Sequence, residues 1–190
     1  DYSRQRQANI ELSGTDIGNI DYLKNIKKYS EEDDEKIFAS EMSIVQEALS
    51  VEEESIKYYD KAAEMLEGDM AAETFKSLSH QSDEHVSYLE GLKNVISEDE
   101  KVSLGDKIKE ALTTREEYDW GKVDPNKVRL ALNVFSIGID IKNQSIKFYK
   151  KAAEKSQIEE AKKLYDELAF WEDFQLGQLR GQYEVYRDEW

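Results

Sequence analysis

A single shift of 90 residues lays one half of this chain on the other without a gap. It carries Leu78 to Leu168, Ser82 to Glu172, His85 to Gln175, Leu89 to Leu179 and Gly91 to Gly181. It also carries Ser55-Ile56-Lys57-Tyr58-Tyr59 to Ser145-Ile146-Lys147-Phe148-Tyr149, and Lys61-Ala62-Ala63-Glu64 to Lys151-Ala152-Ala153-Glu154. Chance matching rarely keeps one offset over such a span, so the pattern indicates two copies of one supersecondary unit. Within each copy apolar residues recur every three or four positions, which makes the unit a helical hairpin.

The first long helix is expected from near Asp34 to about Glu67, with Val45, Ala48, Leu49, Glu52, Ile56 and Tyr59 along one stripe. Gly68 ends it, and Asp69 is placed to cap a second helix that runs to about Ile96. A polar link from Ser97 to Asp124 follows, with one short amphipathic piece from Asp106 to about Glu116. A link this long lets the second hairpin lie parallel to the first. Asp124-Pro125 opens the third helix, aspartate as N-cap and proline in the first turn, and that helix continues to about Lys155. Ser156 with Glu159 forms a capping box for a fourth helix reaching about Arg187. The expected architecture is all-α. Residues 34–190 form a ferritin-like four-helix bundle of two duplicated hairpins joined by a long crossover.

Residues 1–33 lack this period. Gly14 and Gly18 interrupt an alternation of apolar residues there, which reads as an extended N-terminal arm with turns. Ile10, Leu12, Ile17, Ile20 and Ile26 need cover, either along the arm's own bundle or on a neighbouring subunit. A homo-oligomer is the expectation, with the arm as one means of assembly.

The chain has 42 acidic against 26 basic residues, a net charge of −16. Such a surface repels phosphate backbones and anionic lipid, so neither nucleic acid nor a membrane is an expected partner. No apolar run approaches the roughly 18 residues of a membrane helix. The chain has no cysteine, which excludes disulfides and thiolate metal sites. A cytoplasmic location is expected, with a processed or exported form left open because the sequence starts at Asp1.

In each long helix a polar position interrupts the middle of the apolar stripe. These are Glu52 in the first, Ser82 and His85 in the second, Lys142 in the third, and Glu172 and Gln175 in the fourth. Positions i and i+3 share a helix face, so both pairs point to the bundle centre. His80 lies two positions before Ser82 and falls off that face, as a surface or interface histidine. Glu53, Glu54, Asp83, Glu84 and Asp173 are similarly displaced and belong to the solvated face. Trp171, Phe174, Tyr183, Tyr186 and Trp190 read as core or subunit contacts.

Here the chain resembles the rubrerythrins of the ferritin-like superfamily. Their first helices carry Glu-x-x-Ala-x-x-Phe-Tyr and their second helices Leu-Ala-x-x-Glu-x-x-His. This chain has Glu52-Glu53-Glu54-Ser55-Ile56-Lys57-Tyr58-Tyr59 and Leu78-Ser79-His80-Gln81-Ser82-Asp83-Glu84-His85 in one half. The other half has Lys142-Asn143-Gln144-Ser145-Ile146-Lys147-Phe148-Tyr149 and Leu168-Ala169-Phe170-Trp171-Glu172-Asp173-Phe174-Gln175. The resemblance implies a two-metal centre with one glutamate from each first helix and a Glu-x-x-His pair from each second helix. Glu52, His85 and Glu172 keep three of those six positions. Ser82, Gln175 and Lys142 replace a glutamate, a histidine and the second bridging glutamate.

An ammonium at a bridging position removes a negative ligand and adds a positive charge, which opposes a two-iron site. Lys142 is instead expected to pair with Glu52 and Glu172 in a buried cluster, with Gln175 and Ser82 supplying neutral hydrogen bonds. On that basis no cofactor is expected, and the chain reads as a non-catalytic structural, assembly or binding subunit. The competing expectation is a one-metal site at Glu52, His85 and Glu172. Holding iron or manganese, it would make the chain an iron-binding protein or a non-haem peroxidase or oxidase. Rubrerythrins often add a cysteine-ligated iron site as electron donor, and a chain without cysteine has none of its own.

Overall fold

The computed structural model describes residues 31–98 and 128–188. Among them the chain forms five helices and no strand: α1 (Glu31–Ile37), α2 (Glu41–Met65), α3 (Met70–Glu98), α4 (Val128–Lys155) and α5 (Glu159–Asp188). The arm to residue 30, the Asp106–Glu116 piece, the Asp124-Pro125 start and Trp190 lie outside the described residues. None of the described helices is long and apolar enough to cross a membrane.

The expected first helix is in fact two. It breaks after Ile37, and Ser40 starts α2 afresh with extended dihedrals (φ −153°, ψ 158°) and its Oγ accepting from the Ser43 N–H at 3.0 Å. A serine hydroxyl that satisfies a free amide of the first turn stabilises a new start here by about 1 kcal/mol. The α2–α3 turn follows the sequence closely. Gly68 takes φ 85°, a region that costs a side-chain-bearing residue about 1–2 kcal/mol, and Asp69 Oδ1 accepts from the Ala71 N–H at 2.9 Å.

The start of α5 departs from the expected capping box. Ser156 Oγ accepts from the Ile158 N–H at 3.3 Å, and a carboxylate from the other hairpin reaches the same turn. Glu41 Oε2 accepts from the Ser156 hydroxyl at 2.7 Å and Glu41 Oε1 from the Gln157 N–H at 2.5 Å. A charged acceptor at free amides near a helix N-terminus outcompetes a glutamate side chain folding back from within the helix.

Helices α2 and α3 form one hairpin, and α4 and α5 the other. Their apolar faces meet in two clusters at opposite ends of the bundle. One joins Tyr58, Tyr59 and Leu66 to Phe75, Phe135, Leu179 and Tyr186. The other joins Ile44, Val45 and Leu49 to Leu89, Leu92, Tyr149, Leu164 and Tyr165. The end of α2 thus packs on the start of α4, where the Tyr58 hydroxyl donates to the Val134 carbonyl at 2.6 Å. The second hairpin is turned end over end against the first, rather than lying parallel to it. Glu98 and Val128 therefore lie toward opposite ends of the bundle. Equivalent positions of the two halves coincide only near its middle, between the two apolar clusters.

Candidate functional site

The middle level is polar. Glu52, Ser82, His85, Lys142, Glu172 and Gln175 are all buried, none more than 4% exposed. One turn of helix puts each of them among apolar neighbours, so every charge must find its partner inside.

Lys142 Nζ donates to Glu172 Oε2 at 2.5 Å and to Gln175 Oε1, and it lies 5.1 Å from the Tyr59 ring centroid. His85 Nδ1 is 3.3 Å from Glu52 Oε1 and 3.5 Å from Glu172 Oε1, bridging the hairpins. The Tyr149 hydroxyl donates to Glu52 Oε1 at 2.5 Å, and the Gln175 amide donates to Gln81 Oε1. Two carboxylates against one imidazolium and one ammonium leave the group neutral, as a stable buried set must be.

The expected Lys142 pairing is formed with Glu172, and Gln175 supplies the neutral bond assigned to it. Ser82 does not: its Oγ has no hydrogen-bond partner among the described residues, and neither does Glu52 Oε2. Tyr59, Tyr149 and Gln81 were not anticipated as members. His80 is on the surface beside Glu84, at 3.4 Å, and Glu53, Glu54, Asp83 and Asp173 are exposed as expected. Of the aromatic group near the C-terminus, Trp171 and Tyr186 are buried while Phe174 stays exposed.

The cluster sets its own protonation. Burial alone would push His85 down, but the Glu52 and Glu172 carboxylates raise it to about 9. Burial likewise disfavours the Lys142 ammonium, and the Glu172 carboxylate with that of Glu52 overturns this and holds it charged. Glu172, which burial would raise, is lowered to about 2 by Lys142 and His85. Burial raises both Tyr149 and Tyr59 above the ordinary phenol value, keeping each a neutral group.

These shifts fix a pH dependence. Glu172 titrates lower in the folded chain than its ordinary 4.5, so its contribution to stability is complete above that value and is lost as pH falls toward 2. His85 titrates higher than its ordinary 6.5, so its contribution is complete below that value and is lost as pH rises through about 9. Denaturant midpoints are expected to fall between pH values of about 7 and about 10, and His85→Gln to flatten that alkaline limb. A native chain that gains stability over this range would show His85 to be neutral at pH 7.

Chemically, the site offers one ligand atom from each of Glu52, His85 and Glu172, all within 4.8 Å of one another. The carboxylate oxygens among them are shared with an imidazolium and a phenol, and Glu172 Oε2 with an ammonium.

Against families of known proteins, the model described as Rubrerythrin matches residues 43–174. That span contains five of the six polar positions of the middle level, and Gln175 follows directly after it. No curated protein and no solved structure matches the chain.

Proposed function

Because the chain belongs to the rubrerythrin family, whose members usually bind iron, we propose that it has replaced the two-metal centre with an ion-paired core. On this reading it acts as a non-catalytic structural, assembly or binding subunit whose two hairpins derive from one duplicated unit. The observation that carries the proposal is the Lys142 ammonium donating to Glu172 Oε2 at 2.5 Å. It engages the lone pairs a metal would need and stands on the helix that supplies a bridging glutamate in the family.

The residues present do not fit two metal ions. Two divalent ions would bring four positive charges to a pocket with two carboxylates and a resident ammonium, a balance that no low-dielectric site sustains. Ser82 and Gln175 offer only neutral oxygens, and that of Gln175 already accepts from Lys142.

The three-atom set at Glu52, His85 and Glu172 favours a second reading, a one-metal iron or manganese site in an iron-binding protein or oxidoreductase. Such a site needs His85 neutral and Lys142 withdrawn, and both requirements run against the charges that surround them. Metal analysis of the full chain, purified without chelator, separates these readings. Metal far below one ion per chain is the expected result. About one iron or manganese per chain would favour the single site, and about two would overturn the proposal.

A further inference from the structure

Four large hydrophobic side chains stay exposed among the described residues, and three of them are on α5: Phe170 (55%), Phe174 (36%) and Val185 (46%). With Gly177 and Gly181 they follow at three- and four-residue spacing and form one stripe on the face turned away from the bundle. Phe174 is held at its edge by stacking on Trp171, with ring centroids 5.6 Å apart.

The two glycines stand inside a 30-residue helix, where each costs about 0.5–1 kcal/mol relative to alanine. Among the described residues nothing in the packing requires them, since a Cβ added at either meets no atom within 4 Å. Bare backbone on an outward face admits a close approach from outside.

We infer that this face binds a second copy of the chain, α5 lying antiparallel on α5 about a two-fold axis beside Gly177 and Gln178. In that register Phe174 faces the Gly181 notch of the other copy and Phe170 faces its Val185, each contact made twice. The charges select this occupant and this direction. Along one flank run Asp166, Asp173, Arg180 and Arg187, all exposed and seven residues apart, acidic first and basic second. Antiparallel pairing brings this flank onto the same flank of the other copy and sets Asp173 near Arg180 and Asp166 near Arg187, whereas parallel pairing turns it to the opposite flank and forgoes that complement. A flank that carries both halves of its own complement is an isologous surface. The inference stands apart from the buried cluster and holds whether or not that cluster takes a metal.

Sedimentation of the full chain over a range of concentrations is expected to show a reversible monomer–dimer equilibrium. Gly181→Gln fills the notch with a better helix former, so it shifts the chain to monomer while the thermal midpoint stays or rises. Asp173→Arg and Arg180→Asp each weaken the dimer by about tenfold at low salt, and the two together restore it. Because the chain has no cysteine, Gln178→Cys beside the axis closes into a disulfide-linked dimer on mild oxidation, and Lys163→Cys at the far end of α5 does not. A chain that is monomeric at every concentration, as it would be if another protein or another segment of this chain covered α5, overturns the inference. So does a dimer that survives Gly181→Gln and both single charge reversals.

Discussion

Lys142→Met is expected to destabilise the protein by about 3–5 kcal/mol, although it places an apolar side chain of similar length in a buried position. The substitution leaves Glu172 Oε2 and Gln175 Oε1 without their donor and leaves a net negative charge in a cluster that was neutral. His85 remains beside Glu172 and limits the damage, and protonation of a carboxylate limits it further at acid pH. For a chain of this size the thermal midpoint should drop by roughly 10 °C at neutral pH. The double variant Lys142→Met with Glu172→Gln removes both charges of the pair and should recover most of the loss. If the midpoint of Lys142→Met is unchanged or higher at pH 7, the ammonium is not paired inside the bundle.

The second large effect is a gain. Lys142→Glu combined with Ser82→Glu and Gln175→His should bind iron or manganese at about two ions per chain, because it rebuilds the family's ligand set on a frame that already brings Glu52, His85 and Glu172 within 4.8 Å of one another. Without metal this variant crowds four carboxylates into a buried pocket, so it should melt lower than the native chain, and added metal should raise its midpoint with the logarithm of its free concentration above the dissociation constant. A triple variant that folds, stays helical and takes up no metal would show that positions 82, 142 and 175 do not converge with the other three.

Much of this was legible in the sequence where a residue breaks its local pattern. Gly68 and Asp69 interrupt a helical stripe, and their turn is where they put it. Glu52, His85, Lys142 and Glu172 are charged residues inside apolar stripes, so their meeting at the bundle centre followed from periodicity. What escaped were residues that fit their surroundings. Ser40 begins a new helix between Phe38 and Val45, yet the apolar spacing continues across it, and no glycine or proline marks the break. Tyr59 and Tyr149 read as core because a phenol is mostly ring, although the Tyr149 hydroxyl bonds to Glu52. Gln81 lies one position off the inward face and reaches Gln175 by its length alone. The end-over-end placement of the hairpins was not accessible either, because a repeat identifies equivalent positions without fixing the rotation that relates them.

The neutral buried cluster also determines how the molecule meets ionic strength. Its four charges cancel within the core, so the 40 acidic and 25 basic residues left outside it, an excess of 15 negative charges, belong to the rest of the chain, and the exposed acids repel one another across a Debye length of roughly 8 Å at physiological salt. Mobile ions reach that surface repulsion and screen it, while the pairs around Lys142 and His85 lie beyond their reach. Although its core is held by ion pairs, the fold is therefore consolidated by salt rather than loosened by it.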